Sequence, residues 1–563
     1  MTSLLVWSLA VPIGGALLAF VVGGRRVHWF ALATLPIGLA IAIAIAAALS
    51  RSSGPLLYLI GGWSPPLGVA LRADWLSAIM MVITAVVICG IAAFACGDFI
   101  SPRPAEARRP FAFWILLLAL WSALNLVFLS GDLFTLYVAL ELLVFSAVPL
   151  VCLDGRAETL RAALRYLLFA LLGSVLYLVG TGLLYGACGT LDIDLLAACL
   201  RPEPVTLVAA SLMTAGLLAK TALFPLYLWL PAAHAGAPPA ASAVLSALVV
   251  KGSFFVAVRL WFFVMPALPG EAATQVMSAL AAAAIVFASL LALRQDRLKL
   301  LVAYSTLAQI GYIFLMFALA FDEGSGRMVQ GSALVGGMMQ AISHATAKAG
   351  MFMAAGMIYA SLGHDRISEL GGIARAAPLA ALTFLLAGLA LIGPPSSGVY
   401  LAKTLLLRAA DNTGQWWWAG VLQVGGVLTS AYLILVVAHA LAPMRRAPTP
   451  GHAAIPRLQQ AAALALVLCS LVLGLVPWQP WLPLPVAMSG HGPLGLAALW
   501  SMLWPILIGV PVAYLLGRRG NRRPWRVALW LEDADRLLRQ WPTAGASLVA
   551  VAVALAAAMF FGR

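Results

Sequence analysis

The sequence predicts an all-α protein that crosses a membrane about sixteen times. Of its 563 residues, 63% are hydrophobic and only 10% are charged, whereas soluble globular proteins carry about 25% charged residues. Apolar runs near the length of a spanning helix, which needs about 20 residues, recur from one end of the chain to the other. These two observations exclude a soluble globular protein.

Each apolar run is long enough to form one membrane helix. The first run follows no basic residue and is too long for the core of a signal peptide, so we expect it to remain as a helix. The predicted spans are 2–22, 27–49, 73–96, 111–129, 131–153, 160–187, 205–230, 239–264, 270–292, 299–320, 332–361, 377–407, 416–441, 457–478, 494–517 and 543–562.

The net charge of +14 does not indicate a nucleic-acid-binding protein. The basic residues stand singly or in pairs between apolar runs rather than along one solvated face. Most arginines fall in loops after odd-numbered spans, which predicts that these loops are cytoplasmic and that both termini lie outside a bacterial inner membrane. The chain has few lysines, and four of them lie inside apolar runs: Lys220, Lys251, Lys348 and Lys403.

The cysteines do not predict a cofactor site. None of the six belongs to a CxxC pair, which argues against an iron–sulfur cluster, a zinc site or a disulfide framework. No glycine-rich nucleotide-binding pattern follows a predicted strand. We therefore expect no metal and no cofactor in this chain.

Two spans contain helix-breaking prolines beside a lysine. Lys220 precedes Phe224-Pro225, and Lys403 follows Gly393-Pro394-Pro395, each within the motif Leu-Ala-Lys-Thr. Irregular backbone at membrane depth is tolerated only where it is buried in protein or lines a wet cavity, and paired interrupted helices indicate a transport site. The sequence predicts breaks at 220–231 and 393–403, with a chance match of short motifs as the alternative.

A helix of different character is predicted near the C-terminus. Between Trp525 and Trp541, apolar residues recur at i, i+3, i+4 and i+7, and charged residues occupy the other face. This pattern favours an interfacial amphipathic helix over 524–541, with an ordinary linker as the alternative.

Charged side chains inside apolar runs need a partner or a function, because a charge at bilayer depth costs a few kcal/mol. Glu141 has no other formal charge in its run, so a lysine from another span is its natural partner, either Lys220 or Lys251. His344 and Lys348 are four residues apart and share one helix face.

Lysine can relay protons because desolvation lowers its pKa and a nearby carboxylate raises it, whereas arginine stays charged. We expect a series of titratable groups that spans both halves of the chain and ends at Lys403. Its other members are Glu141, Lys220, Lys251, His344 and Lys348. The alternative is a static ion pair that only fixes helix packing.

Weaker candidates accompany these residues. His234 lies in a proline-rich hinge and is either a proton feed or structural. Asp74 and Asp132 lie near span boundaries, and we expect them to be solvated. The tenth span carries a polar stripe that predicts either a hydrogen-bonded water path or helix contacts, formed by Tyr304, Ser305, Gln309 and Tyr312.

These residues resemble the antiporter-like subunits shared by Mrp-type cation/proton antiporters, respiratory complex I and membrane-bound hydrogenases. The most specific stretch runs from Lys220-Thr-Ala-Leu-Phe-Pro through Trp229-Leu-Pro and His234 to Lys251, supported by Tyr304–Tyr312 and by His344 with Lys348. The resemblance as a whole covers roughly residues 60–440. Gly61-Gly62-Trp63, Asp74 and lysine at 403 look most like the Mrp D subunit or its hydrogenase-4-like relatives.

The resemblance implies two inverted five-helix repeats, 111–264 and 265–441, after three N-terminal helices in 1–110 and before C-terminal helices in 442–563. It implies an ion pair of Glu141 with Lys220, a central relay at Lys251, a bridge at His344 and a terminal group at Lys403. Two departures stand out: Val399-Tyr400 replaces the family's Gly-Phe beside a shifted Pro-Pro, and Gln340 stands where many relatives have histidine.

Three functions follow from the resemblance. The first is proton translocation, with exchange for Na⁺, as a subunit of a multisubunit membrane complex. We expect the partners to be other membrane proteins and not nucleic acid. The second is proton pumping as a subunit of an NADH/quinone oxidoreductase or hydrogenase, with all redox cofactors in partner chains. The third is a scaffold without conduction. Whether Na⁺, K⁺ or only H⁺ moves stays open.

Overall fold

The computed structural model describes residues 2–100, 108–443, 455–478, 495–517 and 526–562. It is helical almost throughout. The first eleven helices are α1 (Ser3–Val22), α2 (Val27–Leu49), α3 (Trp75–Phe99), α4 (Arg108–Leu129), α5 (Leu133–Val151), α6 (Ala157–Cys188), α7 (Ile193–Cys199), α8 (Pro204–Thr221), α9 (Leu230–Gly236), α10 (Pro239–Val244) and α11 (Val250–Arg259).

The remaining helices complete the bundle. They are α12 (Gly270–Leu293), α13 (Leu298–Phe314), α14 (Met316–Leu319), α15 (Ser332–Leu362), α16 (Ile373–Ala376), α17 (Pro378–Ile392), α18 (Gly398–Asn412), α19 (Trp416–Ala440), α20 (Arg457–Val472), α21 (Leu496–Leu516), α22 (Arg526–Leu538) and α23 (Trp541–Phe561). Two hairpins are formed by β1 (Leu56–Leu59) with β2 (Ala70–Ala73) and by β3 (Phe321–Asp322) with β4 (Arg327–Met328).

Fourteen helices in the described part are long and apolar enough to cross a membrane. The two other predicted spans correspond to α15, which has 31 residues but a more polar sequence, and to α17 with α18, which are separate helices. The prediction of an all-α polytopic membrane protein is confirmed. The inverted repeats and the orientation of the loops stay predictions. Several of the loop arginines on which the orientation rests, among them Arg103, Arg445 and Arg446, lie outside the described residues.

The first predicted break lies between α8 and α9. Ala222 ends α8 with φ +60°, a left-handed conformation that costs a non-glycine residue roughly 1–2 kcal/mol. The Leu223 amide donates to the Leu218 carbonyl at 3.1 Å, and the Trp229 indole N–H donates to the Ala219 carbonyl at 3.1 Å. Carbonyls released by the end of α8 therefore find partners inside the protein, as membrane depth requires.

The second break separates α17 from α18. Gly393 ends α17 with φ +94°, and the Ser397 hydroxyl caps α18 by accepting the Tyr400 amide at 3.2 Å. α18 packs closely against α15, because a Cβ on Gly398 would lie 2.0 Å from the Ser343 hydroxyl oxygen. A larger residue at 398 would require the Ser343 hydroxyl to move, next to His344.

The C-terminal amphipathic helix is shorter than the predicted 524–541. α22 covers Arg526–Leu538, and Trp541 begins α23 instead. Pro542 at the first turn of α23 explains this boundary, because proline is suited to a helix start and ends the preceding helix. Residues 524 and 525 lie outside the described part of the chain.

Three loops pair at one end of the bundle. Leu71 of β2 forms a bridge with Ser130, and Asp132 forms a bridge with Asp192 before α7. The Gly131 amide also donates to the Ala70 carbonyl at 3.0 Å. We call β1–β2, residues 130–132 and residues 191–193 the loop cap, which ties the start of α3 to the starts of α5 and α7.

The prediction against disulfides is wrong, because one disulfide lies next to the loop cap. Cys188 at the end of α6 is bridged to Cys199 at the end of α7. Eleven residues separate the two cysteines, and the turn of the chain into α7 brings them together, which a search for CxxC pairs does not detect. The other four cysteines are free.

We expect the Cys188–Cys199 bridge to lie outside the cytoplasm, because disulfides persist in oxidising compartments and this loop follows an even-numbered span. In spheroplasts carrying a variant without the four free cysteines, an impermeant maleimide should label the protein only after treatment with an impermeant reductant. A variant with Cys188→Ala and Cys199→Ala added should stay unlabelled. Labelling only in inverted vesicles would contradict the predicted orientation.

Candidate functional site

A buried ion pair joins α5 to α8. Lys220 Nζ lies 2.9 Å from Glu141 Oε1, and the two side chains are 4% and 12% exposed. The Ser174 hydroxyl of α6 also donates to Glu141. Of the two lysines that the sequence offered as partners, the structure selects Lys220.

Two glycines allow this pair to form. α6 and α8 cross so closely that a Cβ on Gly216 would lie 2.2 Å from the Gly173 carbonyl oxygen. Small residues let membrane helices approach at the backbone. The crossing brings Ser174 and Lys220 to the same carboxylate, and Tyr166 of α6 stacks on Trp229 behind it at 4.2 Å.

Lys251 begins a second cluster. It lies two residues after the π-helical turn Leu245–Val249, and its Nζ donates to the Ser246 carbonyl at 2.6 Å and contacts His344 Nδ1. An ammonium that donates to Nδ1 requires the neutral imidazole with its proton on Nε2. Nε2 itself has no hydrogen-bond partner among the described residues. His344 therefore contacts Lys251 through one ring nitrogen, and which of the two donates depends on where the proton lies; the other ring nitrogen has no partner among the described residues.

Lys348 lies one turn beyond His344 on α15. Its Nζ contacts the Ser305 hydroxyl and donates to the Val302 carbonyl of α13 at 3.2 Å. Gln340, the residue at the departure from the family pattern, donates to Gln309 at 2.8 Å. α13 and α15 are thus joined by polar contacts on both sides of His344.

Lys403 stands apart on α18. It is half-buried, and its Nζ lies 5.9 Å from the centre of the Trp504 ring, within reach of a cation–π interaction. Among the described residues, no direct hydrogen bond connects Lys348 to Lys403 or Lys220 to Lys251. The nearest link between the first two clusters is the 3.0 Å hydrogen bond from Thr221 to Ser253. The predicted site residues thus fall into two clusters and one isolated lysine. The first cluster is Glu141 with Lys220, the second is Lys251 with His344 and Lys348, and the isolated residue is Lys403.

Two weaker candidates lie elsewhere. His234 is fully buried, stacks on Phe352 at 4.6 Å between ring centres, and has no hydrogen-bond partner on either ring nitrogen within the described chain. The Tyr304 hydroxyl donates to Asp535 of α22 at 2.8 Å rather than to its neighbours on α13. The polar stripe of the tenth span is therefore divided: Tyr304 contacts α22, whereas Ser305 and Gln309 contact α15.

The expectation that Asp74 is solvated is wrong. Asp74 is 7% exposed and Arg259 is 1% exposed, and the two form an ion pair, with a second contact of 3.1 Å from Arg259 Nη2 to Asp74 Oδ1. Phe255 and Phe263 flank the guanidinium at 5.1 and 4.7 Å. The signal in the sequence was Arg259 itself, an arginine inside the predicted span 239–264.

Asp132 is also more than a solvated boundary residue. It is half-buried and caps α5, accepting the Thr135 amide at 2.7 Å. Both aspartates therefore begin helices at the loop cap, since Asp74 accepts the Ser77 amide at 3.1 Å at the start of α3. A cap satisfies one of the unpaired amides at a helix start.

Membrane helices with two interrupted spans and buried, paired charges are typical of antiporter-like membrane subunits. The chain belongs to the NADH:quinone oxidoreductase/Mrp antiporter transmembrane family, which matches residues 130–429. This range contains Glu141, all four intramembrane lysines and both breaks.

Three relatives illustrate the similarity. The N subunit of NADH-quinone oxidoreductase from Desulforudis audaxviator is 35% identical over 75% of this chain and 81% of its own. The D subunit of the Na⁺/H⁺ antiporter from Alkalihalophilus pseudofirmus is 28% identical over 63% of this chain and 69% of its own. A chain of the Mrp complex from Dietzia sp. DQ12-45-1b superposes with a TM-score of 0.75 at 25% identity, covering 91% of this chain and 98% of that one.

Arg259→Gln should destabilise the protein by about 3–5 kcal/mol, because it leaves Asp74 buried without its partner. Asp74→Asn combined with Arg259→Gln should cost less than Arg259→Gln alone, since no unpaired charge remains. Reversible unfolding of the purified protein by denaturant measures both. The matched control is Arg536→Gln, which removes an exposed pair with Asp533 and should change stability little. Equal losses for Arg259→Gln and Arg536→Gln would contradict the prediction.

Proposed function

We propose that the chain translocates protons as one subunit of a multisubunit membrane complex and exchanges them for a monovalent cation, with Na⁺ the first candidate. The observation that carries the proposal is the buried Glu141–Lys220 pair at a helix break, next to a second buried cluster that contains two lysines and a histidine. A single such pair could be structural. Lys251, Lys348 and Lys403 have no carboxylate partner among the described residues, and this favours a chain of groups that gain and lose protons.

The ion pair acts as the switch in this proposal. While Glu141 lies against Lys220, the carboxylate stabilises the ammonium; when the two separate, the buried ammonium loses that compensation and is favoured to release its proton. Lys251 is the acceptor in this proposal, since Thr221, directly after Lys220, donates to Ser253, two residues after Lys251. Water must complete the step, because no side chain bridges the two lysines directly in the described chain.

The second cluster carries the proton onward. His344 accepts from Lys251 at Nδ1 and can release a proton from Nε2, so imidazole transfers charge without moving its ring far. Lys348 follows on the same helix face, held by Ser305 and Val302. Lys403, next to the second break, is the terminal group. His234, with both nitrogens unsatisfied, is a candidate for feeding protons from the side of the α9–α10 turn.

Other membrane subunits surround the chain in this proposal. The relatives named above include a Na⁺/H⁺ antiporter subunit and a quinone oxidoreductase subunit, and the similar solved structure is a chain of the Mrp complex. The 35% identity to an oxidoreductase relative favours a second candidate, a proton-pumping subunit of a complex I-like oxidoreductase, in which redox cofactors belong to partner chains.

Lys220→Arg tests the switch against a static ion pair. Arginine keeps the charge and the pairing with Glu141 but cannot release a proton, so proton flux through the reconstituted complex should fall on the order of a hundredfold while assembly stays intact. Arg536→Lys is the control, since Arg536 is exposed on α22 and pairs with Asp533 away from the proposed chain, and it should retain flux. Wild-type flux in Lys220→Arg would leave the pair a purely structural role.

A gradient experiment separates the two candidate complexes. In vesicles containing the complex purified with its native partners, an imposed Na⁺ gradient should generate a pH gradient without any electron donor. Glu141→Gln should abolish that response. A pH gradient that appears only when an electron donor and a quinone are supplied would favour the oxidoreductase.

A further inference from the structure

Asp535 is a buried carboxylate that the ion-transfer scheme above does not use. It lies on α22, the amphipathic helix, yet is only 7% exposed. Oδ1 accepts the Tyr227 hydroxyl at 3.0 Å, and Oδ2 accepts the Tyr304 hydroxyl at 2.8 Å. Arg539, one turn further along α22, lies 3.4 Å from Oδ2. The carboxylate is therefore fully engaged by two tyrosines and one arginine.

The two tyrosines come from different parts of the bundle. Tyr227 belongs to residues 222–229, the irregular segment that follows Lys220 between α8 and α9. Tyr304 belongs to α13 and directly precedes Ser305, which contacts Lys348. One carboxylate thus contacts both the break next to the first ion pair and the helix that holds the second cluster.

α22 is attached to the bundle at a second point. Glu532, one turn before Asp535, forms an ion pair with Arg294 at the end of α12 at 3.3 Å. The opposite face of α22 carries Asp533 and Arg536, which pair with each other and are 63% and 71% exposed. Only the inward carboxylates contact the bundle, so the exposed Asp533 offers a matched control on the same helix.

We propose that Asp535 is a positioning residue for ion transfer: it fixes the irregular segment after Lys220 against α13 through the hydroxyls of Tyr227 and Tyr304. The inference rests on the proposed function, because it assigns α22 a role in setting the geometry of Lys220 and of the helix that holds Lys348. A buried carboxylate must keep its hydrogen-bond donors, so α22 cannot leave this position without leaving charge unsatisfied. The same contacts keep the break in one conformation.

Substitutions at the three contact residues test this role. Asp535→Ala should lower proton flux on the order of tenfold, because small displacements of reacting groups have large effects on transfer. Asp535→Asn keeps the shape and one acceptor and should restore at least about half of the flux lost in Asp535→Ala. Asp533→Ala should leave flux unchanged. Assembly of the complex and its thermal stability are measured on the same preparations.

The tyrosines supply the test that does not depend on α22 folding normally. The double variant Tyr227→Phe with Tyr304→Phe removes only two hydroxyls and should reproduce the loss in Asp535→Ala; adding Asp535→Ala to it should lower flux no further. Wild-type flux in the double tyrosine variant, or Asp535→Asn no better than Asp535→Ala, would overturn the inference.

The outcomes separate this inference from the proposed function. If Lys220→Arg conducts like wild type, the proposed function fails regardless of α22. If Lys220→Arg is inactive while Asp535→Ala conducts normally, ion transfer through Lys220 stands and the role of Asp535 is overturned.

Discussion

The need to compensate every charge that leaves water governs this structure. In the hydrocarbon layer an isolated ammonium or carboxylate costs several kcal/mol, so a permanent buried charge needs a partner of opposite sign. Two ion pairs between helices meet this requirement. Glu141 with Lys220 joins α5 to α8, and Arg259 with Asp74 joins α11 to the start of α3. These contacts tie together helices that apolar packing alone would orient only loosely, since lipid tails are as apolar as leucine.

The two ion pairs differ in what surrounds them. Arg259 and Asp74 are almost fully enclosed between aromatic rings and a helix cap, and arginine cannot lose its proton. Lys220 ends a helix that stops inside the bundle, next to an alanine held in a left-handed conformation. The Arg259–Asp74 pair is therefore suited to a permanent structural contact. The Glu141–Lys220 pair places a titratable group where the backbone is already irregular.

Local patterns in the sequence predicted much of this arrangement. Apolar runs and prolines beside lysines were sufficient to place most spans and both breaks, because each depends on a rule that acts within one segment. The isolated Glu141 required a lysine partner but left Lys220 and Lys251 as alternatives, and the fold decides between them. The Asp74–Arg259 pair, the Cys188–Cys199 bridge and the Asp535 contacts depend on which distant segments meet. Asp74 and Arg259 are 185 residues apart, and Tyr227 and Asp535 are 308 apart. No local periodicity specifies such contacts.

The end of α8 has a consequence for the ammonium of Lys220 that does not involve Glu141. Lys220 lies in the last turn of α8, at the negative end of the helix dipole. Lys403 lies near the beginning of α18, close to the positive end of its dipole. The two breaks therefore present opposite ends of a helix to their lysines, so the backbone dipole favours a positive charge beside the first break and opposes one beside the second.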